Sequence, residues 1–201
     1  MKRREIVLLV LCILQALLIV RHVTYISIKV DADRALMNRD YAKAIKLYKL
    51  AQHISINNAP IYYSLAYAYK GLGDKTRALD AAYKAVKIYP RNSEYFAYYG
   101  GLLAEKDQYA EAEKQYIEAI KWGPYDPQVY TNLAYNQLRS GKSATEINEN
   151  CAKALDYNGY TKTLLLTIIE NNMNEGKIND AAAMCQVLSQ YIPNEEGLKY
   201  L

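Results

Sequence analysis

Apolar residues recur at helical spacing in paired segments along most of this chain, and each pair closes on a turn. The clearest pair runs from Ser93 to Asp126. Phe96, Tyr99, Gly100 and Leu103 share one face of a first helix, and Ala112, Tyr116 and Ala119 share one face of a second. Lys106-Asp107-Gln108 breaks the two apart, and Gly123-Pro124 ends the unit because proline cannot continue a helix. The small residues Gly100, Ala112 and Ala119 let the helices approach closely while the aromatics fill the remaining space. A unit of 34 residues cannot bury both apolar faces by itself. It needs neighbours, which is the logic of a helical repeat.

The pattern resembles the tetratricopeptide repeat, and sliding by 34 residues recovers it on both sides. From Ala59 the matching positions are Tyr62, Leu65, Ala66, Tyr69, Gly73, Ala78, Ala85 and Pro90. From Lys162 they are Leu165, Ile168, Gly176, Ala181, Cys185 and Pro193. From Pro127, Tyr130, Leu133, Ala134 and Gly141 match, and one extra residue then places Ile147, Cys151 and Ala154. Upstream, Tyr41, Ala44, Tyr48 and Ala51 form a good second helix, but the preceding segment puts Asp31 where a large apolar residue is expected. The resemblance implies an all-α fold, a right-handed solenoid of helix–turn–helix repeats. Its repeats span 25–58 (degenerate), 59–92, 93–126, 127–161 and 162–195, with a short stub at 196–201. Tyr191, Leu198 and Tyr200 then leave an apolar end that is either simply frayed or a contact on which copies of the chain stack into a homo-oligomer. Asp126 is placed to cap a helix whose first position is Pro127.

Residues 1–24 follow a different pattern. A basic start, Lys2-Arg3-Arg4, precedes the apolar run Ile6 to Val20, broken only by Gln15, and Arg21 and His22 follow. As a helix this run spans ~22 Å against a hydrocarbon core of ~30 Å. Extension to Ile28 with Arg21 snorkelling brings it to full length. The expectation is a single uncleaved transmembrane signal-anchor; the alternatives are a cleaved signal peptide, although no A-x-A site follows at the usual distance, and a soluble chain. The short basic tail favours a cytoplasmic N-terminus, with the repeats on the outer, periplasm-like side. The repeats begin with almost no linker, so they are held close to the bilayer.

Charge narrows the partners. The net charge of +4 lies entirely within residues 1–30, and the remaining 171 residues carry equal numbers of basic and acidic side chains. A neutral array argues against nucleic acid. His22 and His53 have no cysteine or carboxylate constellation at ligand spacing, and Gly71-Leu72-Gly73 follows no strand, so no metal, cofactor or catalytic site is expected. Cys151 and Cys185 occupy equivalent positions about one helix spacing (~8–10 Å) apart, too far for unstrained bridging.

In the family that the chain resembles, the first helices of the repeats line a concave groove for peptides or proteins. That implies a groove at Tyr63, Tyr67, Tyr98, Gly101, Asn132, Tyr135, Arg139 and Leu166, with Lys29, Asp33 and Thr131 facing it too. Repeat packing does not require those tyrosines, and a rigid aromatic face with a hydroxyl suits a peptide-binding wall. Gly101 would let a bound chain approach the backbone. Alternatively, tyrosine is simply the default aromatic of a chain with 21 tyrosines and one phenylalanine, as Tyr62, Tyr69, Tyr109 and Tyr116 at core positions suggest. Some such domains grip a terminal carboxylate of a chaperone with Lys, Asn and Arg. Lys29 matches one of those positions, but Asp33, Ser64, Glu94 and Tyr98 stand at others, which argues against that ligand. The functional expectation is a membrane-anchored scaffold that docks a partner protein or peptide in envelope assembly (pilus, secretion or cell-wall machinery). The alternatives are a structural oligomer on the membrane and a cytosol-facing docking receptor.

Overall fold

Arg39, Gly73, Asp107, Gly141 and Gly176 all have a positive φ, between 59° and 78°. They fall 34, 34, 34 and 35 residues apart, and each ends a helix in the same way. The next residue's N–H (Asp40, Asp74, Gln108, Lys142, Lys177) donates to a carbonyl five residues back, at 2.8–3.0 Å. This is the Schellman turn, in which a left-handed residue satisfies carbonyls that a helix end would otherwise leave open. Glycine takes that conformation at little cost, whereas Arg39 and Asp107 hold it as non-glycine residues.

The computed structural model describes residues 3–142, then 147, 149–150, 152–153, 166, 169–170, 172–179, 181–182 and 185. All elements among the described residues are helical. They are α1 (Arg3–Met37), α2 (Tyr41–Ile54), α3 (Ala59–Gly71), α4 (Lys75–Ile88), α5 (Ser93–Ala104), α6 (Tyr109–Trp122) and α7 (Pro127–Arg139). They fall into two compact units, Met1–Tyr89 and Pro90–Leu201.

In the first unit, each helix packs on the next, with connections of three or four residues that force antiparallel neighbours. Helix α1 is continuous, with no break where the apolar N-terminal run gives way to the segment that packs on α2. Ala32 and Ala35 make the close contact, while Asp31 turns outward and pairs with Arg34 at 2.9 Å. Asp31 is therefore not at a core position: the first repeat buries small alanines one residue further on. Tyr48, fully buried on α2, donates its hydroxyl to Asp33 Oδ1 on α1 at 2.6 Å. Asp40 and Asp74 cap the helices that follow them by accepting from the N–H of Lys43 and Arg77.

In the second unit, α6 packs on α5 and α7, and α5 also meets α7. Asp126 accepts from the Gln128 N–H at 2.9 Å with Pro127 opening the helix, as the sequence predicts. Gly100 is where α5 and α6 come closest. A Cβ there would lie 3.1 Å from Tyr116 Cε1 and 3.3 Å from the Ala112 carbonyl oxygen. Gly100→Val is therefore expected to cost about 1–3 kcal/mol through overpacking. At Gly101 the nearest atom to an added Cβ is the Tyr116 hydroxyl at 3.7 Å, an ordinary contact. Gly101→Ala should be neutral or slightly stabilising, because it gains up to about 1 kcal/mol of helix propensity. Urea unfolding followed by Trp122 emission on α6 separates the two; equal midpoints would refute the packing argument.

Candidate functional site

The predicted groove residues fall on the first helix of each pair. Helix α3 is apolar on its inner face, where Ile61, Leu65, Ala68 and Tyr69 are buried, and this leaves Tyr63 and Tyr67 one turn apart on the opposite side. Their rings meet edge to face with centroids 5.0 Å apart, and their hydroxyls lie 3.1 Å from each other. Edge-to-face contact suits the ring quadrupoles and fixes both side chains before anything binds. Tyr67 is 41% exposed despite this. On α1, Lys29 Nζ donates to Asp33 Oδ2 at 2.7 Å, and Asp33 Oδ1 accepts from Tyr48. The two charged groups of α1 predicted to face the groove are thus joined to each other. Burial, followed by the Asp33 hydrogen bond, pushes the Tyr48 hydroxyl well above the usual phenol range.

In the second unit, Asn132, Tyr135 and Arg139 form one stripe along α7, with Tyr135 and Arg139 exposed. Asn132 accepts from the Gln128 side-chain amide at 3.0 Å. Arg139 does not stand alone. Its Nε and Nη2 both donate to the Tyr109 hydroxyl at 3.2 Å, and its guanidinium lies over the Tyr109 ring. That hydroxyl in turn donates to Asp107. The hydrogen bond with Tyr109 raises the Arg139 guanidinium above its ordinary range, so it keeps its charge. Tyr98 and Gly101 are half-buried on α5, where the Tyr116 hydroxyl occupies part of the space over Gly101. Leu166 is helical and half-buried, with most of its sequence neighbours outside the described residues.

One position differs from the sequence reading. Thr131, placed in the groove by repeat register, is 2% exposed. Its hydroxyl donates to the Pro127 carbonyl at 2.8 Å, so its polarity is satisfied within α7 and it can face the packed side. Two buried amides were not legible at all. Asn136 donates to the Tyr109 carbonyl at 2.9 Å, and Gln137 donates to Glu113 at 2.9 Å while accepting from Asn150 at 3.0 Å. They lock α7 to α6 through polar contacts that apolar periodicity cannot reveal.

Among the described residues, no group of three or more His, Cys, Asp or Glu side chains is arranged to hold a metal ion. Cys185 is a free, buried thiol that burial pushes up, and Cys12 is exposed. Cys151, Tyr191, Leu198 and Tyr200 lie outside the described residues, as does the stacking surface expected there. Helix α1 is long and apolar enough to cross a membrane, with mean hydropathy 2.6 in its most apolar window, and that window is entirely unburied. A membrane anchor and a signal sequence share those properties.

Antiparallel helix pairs ending in the same turn, with tyrosines held outward on first helices, define a helical-repeat protein. Residues 59–92 match the sequence model of the tetratricopeptide repeat, and the described helices have the fold of tetratricopeptide-repeat proteins. The chain is 30% identical over 130 residues to "Small glutamine-rich tetratricopeptide repeat-containing protein 2" of Mycosarcoma maydis. That match covers 64% of this chain and 36% of the relative, so the chain spans about a third of the curated relative's length. Among solved structures it resembles MamA from Desulfovibrio magneticus RS-1, with TM-score 0.69, 18% identity, and coverage of 84% of this chain and 93% of that one. It also resembles YrrB, described as a TPR protein with an unusual peptide-binding site, with TM-score 0.65, 16% identity, and coverage of 87% and 91%.

Proposed function

We propose that this chain is a membrane-held docking scaffold that captures a protein or peptide segment on the outward faces of its first helices, in the assembly of an envelope machine. The Tyr63–Tyr67 pair carries the reading. Two large aromatics are pre-set against each other on α3, outside the packed face, where burial gives them no reason to be. Rigid tyrosines give up little side-chain entropy on binding, and such residues dominate binding energy at protein interfaces. Tyr135 and Arg139 on α7 offer the second unit's counterpart, an exposed ring beside a guanidinium fixed by Tyr109. Helix α1 would be the anchor, with Ile6 to Val20 in the bilayer. The basic tail Lys2-Arg3-Arg4 stays cytoplasmic and the repeats lie on the outer side. The peptide-binding site in the description of YrrB supports capture of a peptide.

A photo-crosslinking residue at position 67 in intact cells should give one discrete adduct. The same residue at Tyr83, slightly more exposed but on the second helix α4, should not. Against the adducted partner, Tyr63→Ala should weaken binding about tenfold, the loss of ~1.4 kcal/mol. Equal adducts at 67 and 83 would sink the groove reading, and an adduct with a second copy of this chain would favour the structural oligomer.

A further inference from the structure

Helix α1 divides into two halves at Arg21. Beyond it, residues 22–37 lie along the antiparallel α2, and the contact runs from the Met37 end to the point where Arg21 Nε donates to the Ile54 carbonyl at 2.8 Å. Ile54 is the last residue of α2. Before Arg21, every residue from Ile6 to Val20 is exposed. The turn between α2 and α3, Ser55 to Asn58, therefore sits level with the point where the apolar half of α1 leaves the packed repeat.

That turn carries an isoleucine. Ile56 is 89% exposed, more than any other large apolar side chain among the described residues. It is not on a loose loop. Ser55 Oγ donates to the Asn57 carbonyl at 2.7 Å, and Asn57 Oδ1 accepts from the Ala59 N–H at 3.0 Å, so the turn is tied on both sides of Ile56. On α1, Val23 and Ile26 are exposed within two turns of Arg21. Helix α4 runs antiparallel to α3 and so ends on the same side of the unit, where Ile88 and Tyr89 are exposed beside Lys87. One end of the first unit thus combines apolar tips, a tyrosine and cations beside a helix of membrane-spanning length.

We infer that the α2–α3 turn is a second membrane contact, with Ile56 seated at the boundary between phospholipid headgroups and acyl chains and Arg21 at the phosphates. The inference rests on the proposed reading of α1 as a spanning anchor. Arginine suits the position: its Nε holds the C-terminal end of α2, where a cation is favourable, while the guanidinium remains exposed to headgroup phosphate. Aromatic and cationic side chains collect at that depth for the same reasons. Packing of residues 22–37 on α2 also places the upper limit of the span at Arg21, so the expected extension to Ile28 is lost and local thinning of the bilayer accommodates the shorter run. The first unit then stands on the bilayer at two points and cannot swivel about its anchor.

The test uses the full chain in phosphatidylcholine–phosphatidylglycerol vesicles whose acyl chains carry bromine. In a Trp122→Phe background, single tryptophans report as Leu14→Trp, Ile56→Trp and Met37→Trp, the last at the far end of the first unit. All three positions are exposed, so none disturbs packing. Emission at 14 should be strongly quenched, emission at 56 quenched several-fold more than at 37, and emission at 37 unaffected. Quenching at 14 with 56 no different from 37 overturns the second contact and leaves the anchor intact. Blue-shifted but unquenched emission at 56 overturns it too, with a second copy of the chain covering the turn. No quenching at 14 removes the anchor itself.

Discussion

Replacing Tyr48 by alanine should cost about 3–5 kcal/mol, the range for deleting a fully buried aromatic. The residue has no solvent exposure and lies on α2 between its neighbours. Its hydroxyl reaches Asp33 on α1 and bonds with Ser64 on α3, so one side chain joins three helices. Tyr48→Phe keeps the ring and removes only the hydroxyl. Asp33 still accepts from Lys29 and is partly solvated, which limits the loss to about 1 kcal/mol. Amide exchange reads the first unit separately. Protection in α2 and α3 should fall by roughly a hundredfold or more in Tyr48→Ala and about fivefold in Tyr48→Phe. Similar losses in the two variants would mean that the hydroxyl network, not the ring, holds this unit together.

The second unit should lose stability at high pH through Tyr116. Burial first, and the nearby Glu105 charge second, push its hydroxyl up to about 12 from 10.0. The folded state therefore holds the proton more tightly than the unfolded chain. The sign follows directly: this contribution is fully present below pH 10 and is lost as pH rises through about 12. A rise of that size is worth roughly 3 kcal/mol across the window. In Tyr116→Phe the ring still packs against Gly100, but nothing there titrates. Unfolding by urea at stepped pH, read by Trp122, should show the variant holding its midpoint in the window where the parent falls. Parallel decline of both would place the alkaline loss elsewhere.

The helix pairs and their contacts were legible because they rest on residue type at fixed intervals. Gly100, Ala112 and Tyr116 announce a close crossing, and Gly73, Gly141 and Gly176 mark helix ends. Arg39 and Asp107 adopt the same left-handed turn without a glycine to signal it, since repeat geometry imposes the conformation. The candidate site was legible only as register. The sequence places Tyr63 and Tyr67 on one face but does not say that their rings meet, and it gives no hint that Arg139 would be engaged by Tyr109 thirty residues earlier. Thr131 went astray because a hydroxyl that bonds its own helix behaves as a small buried residue. The level of Arg21 with Ile54 depends on how far α2 runs back along α1, which helix lengths fix and periodicity does not.

The unbroken α1 has a mechanical consequence. Thirty-five residues of helix make a rod ~52 Å long, part of it packed in the first unit and the rest free of it. Spanning helices tilt by about 20° on average. Over the ~24 Å beyond Arg21, such a tilt carries the far end of the rod sideways by roughly 8 Å. A kinked or jointed helix would absorb that swing. This one transmits it, so with α1 in the bilayer, any tilt of the span shifts the unit that carries Tyr63 and Tyr67.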